Sequence, residues 1–149
     1  MNLDRAGQSA LLKLSEIDLE ITRIRTNIEK AIHSSELIEL EKQLADGASE
    51  LIEARNKVEN LQAQVKRSEE DIRLVVERLV RDRERLNATS SAKDAIGIQS
   101  EIDSLERRKS ELEEVELGIL EELESAQATF AEIESTRGSM QDSIQSLRD

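Results

Sequence analysis

The chain has 149 residues, of which 36% are charged and 37% apolar, with a single aromatic residue, Phe130, and no Pro, Trp, Tyr or Cys. No disulfide framework, thiolate nucleophile or cysteine zinc site can be built from it, and with His33 the sole histidine there is no two-histidine metal site. The formal net charge is −12, and a chain this acidic repels phosphate backbones overall.

The start, Met1-Asn2-Leu3-Asp4-Arg5, lacks the basic stretch and apolar run of a signal peptide. No apolar run approaches the roughly 18 residues a membrane span needs, so the cytoplasm is the expected compartment and no membrane partner is expected. Proline-free sequence rich in Leu, Ile, Glu and Arg points to long helices and coiled coils.

Residues 1–32 are expected to form an N-terminal helix. Leu14, Ile17, Ile21, Ile24 and Ile28 make a clean seam, closed by Ala10 and Ala31. The next seam, beginning at Leu37, lies two residues out of phase with it, and two residues turn a helix by about 200°. A bend, or a turn into a separate helix, is therefore expected at His33-Ser34-Ser35.

Residues 36–87 read as the first arm of a hairpin. Apolar residues follow 3-4 spacing from Leu37 through Leu44, Leu51, Val58, Val65, Ile72 and Leu79 to Leu86, with Gly47, Ser68 and Asp82 as the non-apolar seam entries. Residues 88–92 are the expected loop, in which Ser91 followed by Asp94 resembles a capping box. Residues 93–149 form the second arm, whose seam runs from Ile98 through Ile102, Leu105, Leu112, Ile119, Phe130 and Ile144 to Leu147, with Lys109, Glu116 and Arg137 as exceptions. Each array sustains about seven heptads without a slip, the pattern of a supercoiled helix.

So short a loop makes the arms antiparallel neighbours. The fold class is all-α: a long antiparallel coiled-coil hairpin, about 75 Å long at 1.5 Å per residue, with an additional N-terminal helical segment. Setting Leu86 opposite Ile98 places Leu79 against Leu105, Ile72 against Leu112, Ala54 against Phe130, Ser68 against Glu116 and Leu37 against Leu147. Gly47 then faces Arg137, where a missing side chain leaves room for a long one. Among flanking charges, Arg85 near Glu101 is the clearest complementary pair.

Arg78, Arg81, Arg83, Arg85 and Lys93 gather at the hairpin tip and are the candidate partner-binding residues. They could dock an acidic partner or phosphates, or form a solvated surface paired with Asp82, Glu84 and Glu101. The acidic stretch Glu111, Glu113, Glu114, Glu116, Glu121, Glu122 and Glu124 reads as a soluble helix face, without the spacing of a calcium loop. His33 reads as a surface histidine. Carboxylates abound, but acid–base catalysis needs an enclosing pocket, so no enzyme and no catalytic residue is expected.

Leu11 to Asp18, the seam break near residue 34, Ser91-Ala92-Lys93-Asp94 through Glu101-Ile102, and Leu105 to Leu117 together resemble a family. It is that of bacterial zinc-ribbon domain-containing proteins with an N-terminal coiled-coil hairpin, to which flagellar zinc-ribbon and chlamydial coiled-coil proteins are related. Ala92 stands where that family commonly has Pro, and the four cysteines of the ribbon are absent here. The resemblance implies an adaptor whose zinc, if any, would sit in a C-terminal ribbon of a longer protein.

The expected function is therefore a non-enzymatic coiled-coil adaptor or scaffold presenting a rigid helical hairpin to protein partners. The alternative is a nucleic-acid- or transcription-associated regulator acting through the missing ribbon or the basic tip. This segment alone is not expected to bind nucleic acid. Residues 3–32 have no counterpart in the second arm, which pairs out at Leu147. They are left with three options: a continuation of the second helix past Asp149, which the resemblance favours; self-association through residues 10–31, expected of the isolated chain; or folding back as a third helix.

Overall fold

The computed structural model describes residues 4–149, which form three helices: α1 (Arg5–Asp46), α2 (Ala48–Ala88) and α3 (Ala92–Arg148). No strand occurs among the described residues. The chain divides into two compact units, Ser49–Ser135 and Met1–Ala48 with Thr136–Asp149.

In the unit Ser49–Ser135, α2 and the first part of α3 pack as an antiparallel coiled-coil hairpin. Leu61, Leu79, Ile98, Ile102, Leu112 and Ala126 are buried, and the intervening seam positions are half-buried. This gradation is what two helices alone can achieve, since each covers one stripe of the other. Near the loop Leu79, Ile98 and Ile102 form a cluster with Val75, Leu86 and Leu105 packed against it, as the expected register requires. Contacts across the arms agree: Arg83 Nη2 lies 2.8 Å from Glu106 Oε1, and Arg85 Nη1 lies 3.6 Å from Glu101 Oε2.

Phe130 is half-buried rather than enclosed. The Arg55 guanidinium lies over its ring, 5.9 Å from the centroid, a cation–π contact at the flank of the seam. Ser68 and Asp82 are buried polar entries, 7% and 3% exposed. Ser68 shares the seam with Glu116 but does not bond it; Ser68 Oγ and Asp82 Oδ2 are buried without hydrogen-bond partners.

In the unit Met1–Ala48 with Thr136–Asp149, α1 starts at Asp4, whose carboxylate accepts the Gly7 N–H at 2.7 Å, satisfying one of the free donors of the first turn. The last part of α3 packs on the C-terminal part of α1. Leu37, Leu40 and Leu44 are half-buried, and Ile144 is 6% exposed. Arg148 pairs with Glu41.

The expected turn into a separate helix at His33-Ser34-Ser35 does not occur, because α1 runs unbroken through those residues. Nothing in the sequence there removes a backbone donor, as a proline would. A change of seam phase does not itself break a helix whose upstream seam packs on nothing. Residues 8–36 are exposed throughout, so the N-terminal segment is not folded back as a third packed helix.

The interruption falls instead at Gly47, inside the expected first arm. Gly47 has φ −83° and ψ 0°, and its N–H donates to Gln43 O at 3.0 Å. Its conformation is open to any residue, so glycine is placed there for space. A Cβ at Gly47 would lie 3.2 Å from Arg137 Nη1, and that nitrogen donates to Leu44 O at 2.8 Å. The guanidinium thus satisfies a carbonyl at the C-terminal end of α1, where the helix dipole favours a cation. The pairing of Gly47 with Arg137 follows the expected register.

Candidate functional site at the hairpin tip

The tip is the meeting of α2 and α3 around residues 89–91, a non-helical stretch shorter than the expected 88–92. Three small hydroxylated residues end one helix and start the next. Thr89 N–H still donates to Arg85 O at 3.0 Å, while Ser91 O accepts from Ala95 N–H at 3.0 Å. Only half of the expected capping box forms. Ser91 Oγ accepts the Asp94 N–H at 3.3 Å, whereas the Ser91 N–H is directed to Thr89 Oγ1 at 3.4 Å.

A groove at this end is lined by Arg85, Lys93, Asp94, Gly97, Ile98 and Glu101, together with Ala88 and Thr89. Two of the five candidate residues, Arg85 and Lys93, thus come together. Arg83 is turned across the hairpin to Glu106 instead. Arg78 and Arg81 are exposed on α2 and do not line the groove. Arg85 is itself shared between Asp82 Oδ1 at 3.1 Å and Glu101 Oε2 at 3.6 Å. At the groove Arg85 is thus paired with carboxylates, whereas Lys93 makes no ion pair among the described residues.

Sequence reasoning missed two residues here. Gly97 lies on the groove with nothing within 4 Å of where a Cβ would stand, leaving backbone accessible. Ile96, one residue earlier, is 73% exposed. Its signal was present in the heptad, since Ile96 falls outside the seam positions Ile98 and Ile102, but a lone off-seam aliphatic is common on helix surfaces.

Elsewhere on α2, Arg73 bridges Glu70 and Glu77. The hydrogen bond from Arg73 holds the Glu70 carboxyl below its ordinary value against an opposing desolvation, and Glu70 in turn raises Arg73. On α3 the acidic stretch is partly neutralised by its own helix, through Arg108–Glu111 at 3.7 Å and Lys109–Glu113 at 3.3 Å. No group of three or more His, Asp or Glu residues placed to hold a metal ion occurs among the described residues. With no Cys in the chain, its own residues do not fit the zinc site of a ribbon. No helix among the described residues is long and apolar enough to cross a membrane.

Comparison with known proteins recognises the coiled-coil hairpin. A profile of the CT398-like coiled coil hairpin domain matches residues 14–149. The chain belongs to that family. It is also similar to two proteins of Mycobacterium tuberculosis, from strains CDC 1551 / Oshkosh and H37Rv, both named only as uncharacterized. Each is 36% identical over 127 residues, covering 83% of this chain and 51% of the relative. The chain thus spans about half the length of these curated relatives. No solved structure matches it.

Proposed function

We propose that this CT398-like hairpin is a non-enzymatic adaptor or scaffold that presents its tip to a protein partner. The observation that carries this reading is the composition of the tip groove. Arg85 and Lys93 share it with Asp94 and Glu101, Gly97 leaves backbone accessible, and Ile96, next to Gly97 in the chain, is exposed on the same turn of α3. Interspersed charges of both signs with an exposed aliphatic suit a polypeptide of mixed charge. A phosphate backbone would meet the carboxylates of Asp94 and Glu101 at close range and pay for it electrostatically.

Acid–base catalysis requires an enclosed pocket that shifts proton affinities, whereas Arg85 and Glu101 are 60% and 47% exposed. Kinship with zinc-ribbon proteins, in which such a hairpin would precede a ribbon, belongs to this proposal too.

The test places a photo-reactive amino acid at Ile96 and, separately, at Val115, which is 59% exposed on the arm. In cells, the Ile96 position should yield a discrete protein adduct that the Val115 position does not. Equal labelling at both, or adducts that disappear on nuclease treatment, would overturn the proposal.

A further inference from the structure

Among the described residues, nothing covers the N-terminal seam of α1. Leu14, Ile17, Ile21, Ile24 and Ile28 are 55%, 56%, 43%, 50% and 53% exposed. Most helix stability in proteins comes from packing an apolar face rather than from propensity, and burying such a face is a strong drive toward association.

The direction in which this seam points follows from the continuity of α1. From Ile28 to Leu37 the helix turns through about 900°, or two and a half turns. The seam that receives α3, starting at Leu37, therefore lies on the opposite side of α1 from the exposed one. Beyond Leu147, the face in line with α3 is lined by Thr26, Lys30 and His33, with Glu29, Ser34 and Leu37. Apart from Leu37, these are polar or charged residues. A helix laid along that face would leave Ile17, Ile21, Ile24 and Ile28 uncovered, so the apolar seam faces away from α3 and outward.

We propose that this seam seats a second copy of the chain, in a parallel, in-register coiled coil over residues 10–31. The argument for the occupant is charge complementarity. With Leu14, Ile21 and Ile28 at a positions and Ile17 and Ile24 at d, the flanking g positions are Lys13 and Glu20, and the flanking e positions are Asp18 and Arg25. In a parallel pair each g residue meets the e residue of the next heptad on the other chain. Lys13 then meets Asp18 of the second copy, Glu20 meets its Arg25, and the symmetric pairs repeat both contacts. Every charged flanking position finds its opposite.

The antiparallel arrangement that best matches the seams would pair Asp18 with Arg25 but set Glu20 against Glu20. Among the described residues, none of Lys13, Asp18, Glu20 and Arg25 is engaged in an ion pair within the chain. Because α3 lies on the far face of α1, it does not obstruct a second copy. Isoleucine at both a and d further shifts such seams from two strands toward three, so the stoichiometry is itself a readout.

Sedimentation equilibrium of the full chain across a concentration series tests this. The apparent mass should rise from 16.8 kDa toward an integral multiple, and Ile17→Glu with Ile24→Glu should hold it at the monomer. Asp18→Lys with Arg25→Glu should weaken association by on the order of tenfold or more, since each attraction becomes a like-charge contact. Adding Lys13→Glu and Glu20→Lys to that variant should restore it. The restored variant guards against loss of helix, which circular dichroism checks in each case. A wild-type chain monomeric throughout would overturn the proposal and assign the seam to a different occupant. Undiminished association of Asp18→Lys with Arg25→Glu would overturn the parallel register, because an antiparallel pair keeps those charges complementary.

Discussion

Asp82 offers the sharpest test of the energetics of the hairpin. Its side chain is 4% exposed in the seam, with Oδ1 taken by Arg85 at 3.1 Å and Oδ2 buried without a partner. Replacing it with leucine removes an unsatisfied acceptor, worth about 1–3 kcal/mol, and buries an aliphatic side chain for about 1.5–3 kcal/mol. Against this stand the lost pair with Arg85, whose side chain is 60% exposed, at no more than about 1 kcal/mol, and some strain from repacking, roughly 1 kcal/mol. The net expectation for Asp82→Leu is stabilisation by about 0.5–4 kcal/mol. At about 2–4 °C per kcal/mol for a chain of this size, the thermal midpoint should rise by roughly 1–15 °C, followed by helical circular dichroism. Asp82→Asn, which removes the charge and keeps a polar side chain, should move it less. A midpoint unchanged or lowered by the leucine would refute the argument, and would show that the carboxylate is better satisfied in solution than its surroundings indicate.

Leu79→Cys combined with Leu105→Cys should cross-link within one chain under mild oxidation, whereas Leu79→Cys with Leu112→Cys, about 10 Å out of register, should not; mobility on non-reducing gels reads both. Phe130→Ala should cost about 1–3 kcal/mol in urea unfolding, less than a fully buried ring would, and Arg55→Ala should cost no more than about 1 kcal/mol. Arg137→Met should destabilise by roughly 1.5–3 kcal/mol, the range for a hydrogen bond to a charged group, because it frees Leu44 O; no change would mean that water replaces the guanidinium. The Glu70 carboxyl, held low by Arg73, should titrate below the ordinary carboxylate range by NMR. Its contribution to stability is present above the unfolded value and lost as pH falls through the lowered one, and Arg73→Ala should return the titration to the ordinary range.

The heptads carried most of the fold. Every seam residue from Leu37 to Leu86 and from Ile98 to Leu147 is buried or half-buried, because in a two-helix coil burial follows directly from the 3-4 spacing. Pairing was legible for the same reason. Gly47 opposite Arg137 and Arg85 opposite Glu101 are consequences of a single register. Two features were not legible. The phase change before Leu37 looked like a bend, since a seam was assumed to need a partner in the same chain; once that assumption is dropped, a continuous helix is the simplest outcome. The break at Gly47 lies beside a long-range hydrogen bond from Arg137 to Leu44 O, which no local spacing encodes. At the tip, charge sign was readable but not allocation. Whether an arginine faces a groove or crosses to a glutamate depends on which carboxylate lies one turn away on the other arm, which is how Arg83 was lost to Glu106 while Arg85 and Lys93 stayed at the groove.

The phase change also explains how one helix can serve two contacts without conflict. A single seam along α1 would place any second partner on the stripe that α3 already covers. Shifting the seam by two residues moves it to the other side of the cylinder, so the surface that closes the chain on itself and the surface left outward are separated by the full diameter of a helix, about 10 Å. The residues between Ile28 and Leu37 then need no special structure. They need only be good enough helix formers to carry the rotation, and His33, Ser34 and Ser35, with no proline among them, meet that requirement. A seam left in water by accident would be expected to carry flanking charges at random. Instead Lys13 and Asp18, and Glu20 and Arg25, are of opposite sign at the five-residue spacing that a parallel copy requires, which is why we read the exposed stripe as an interface.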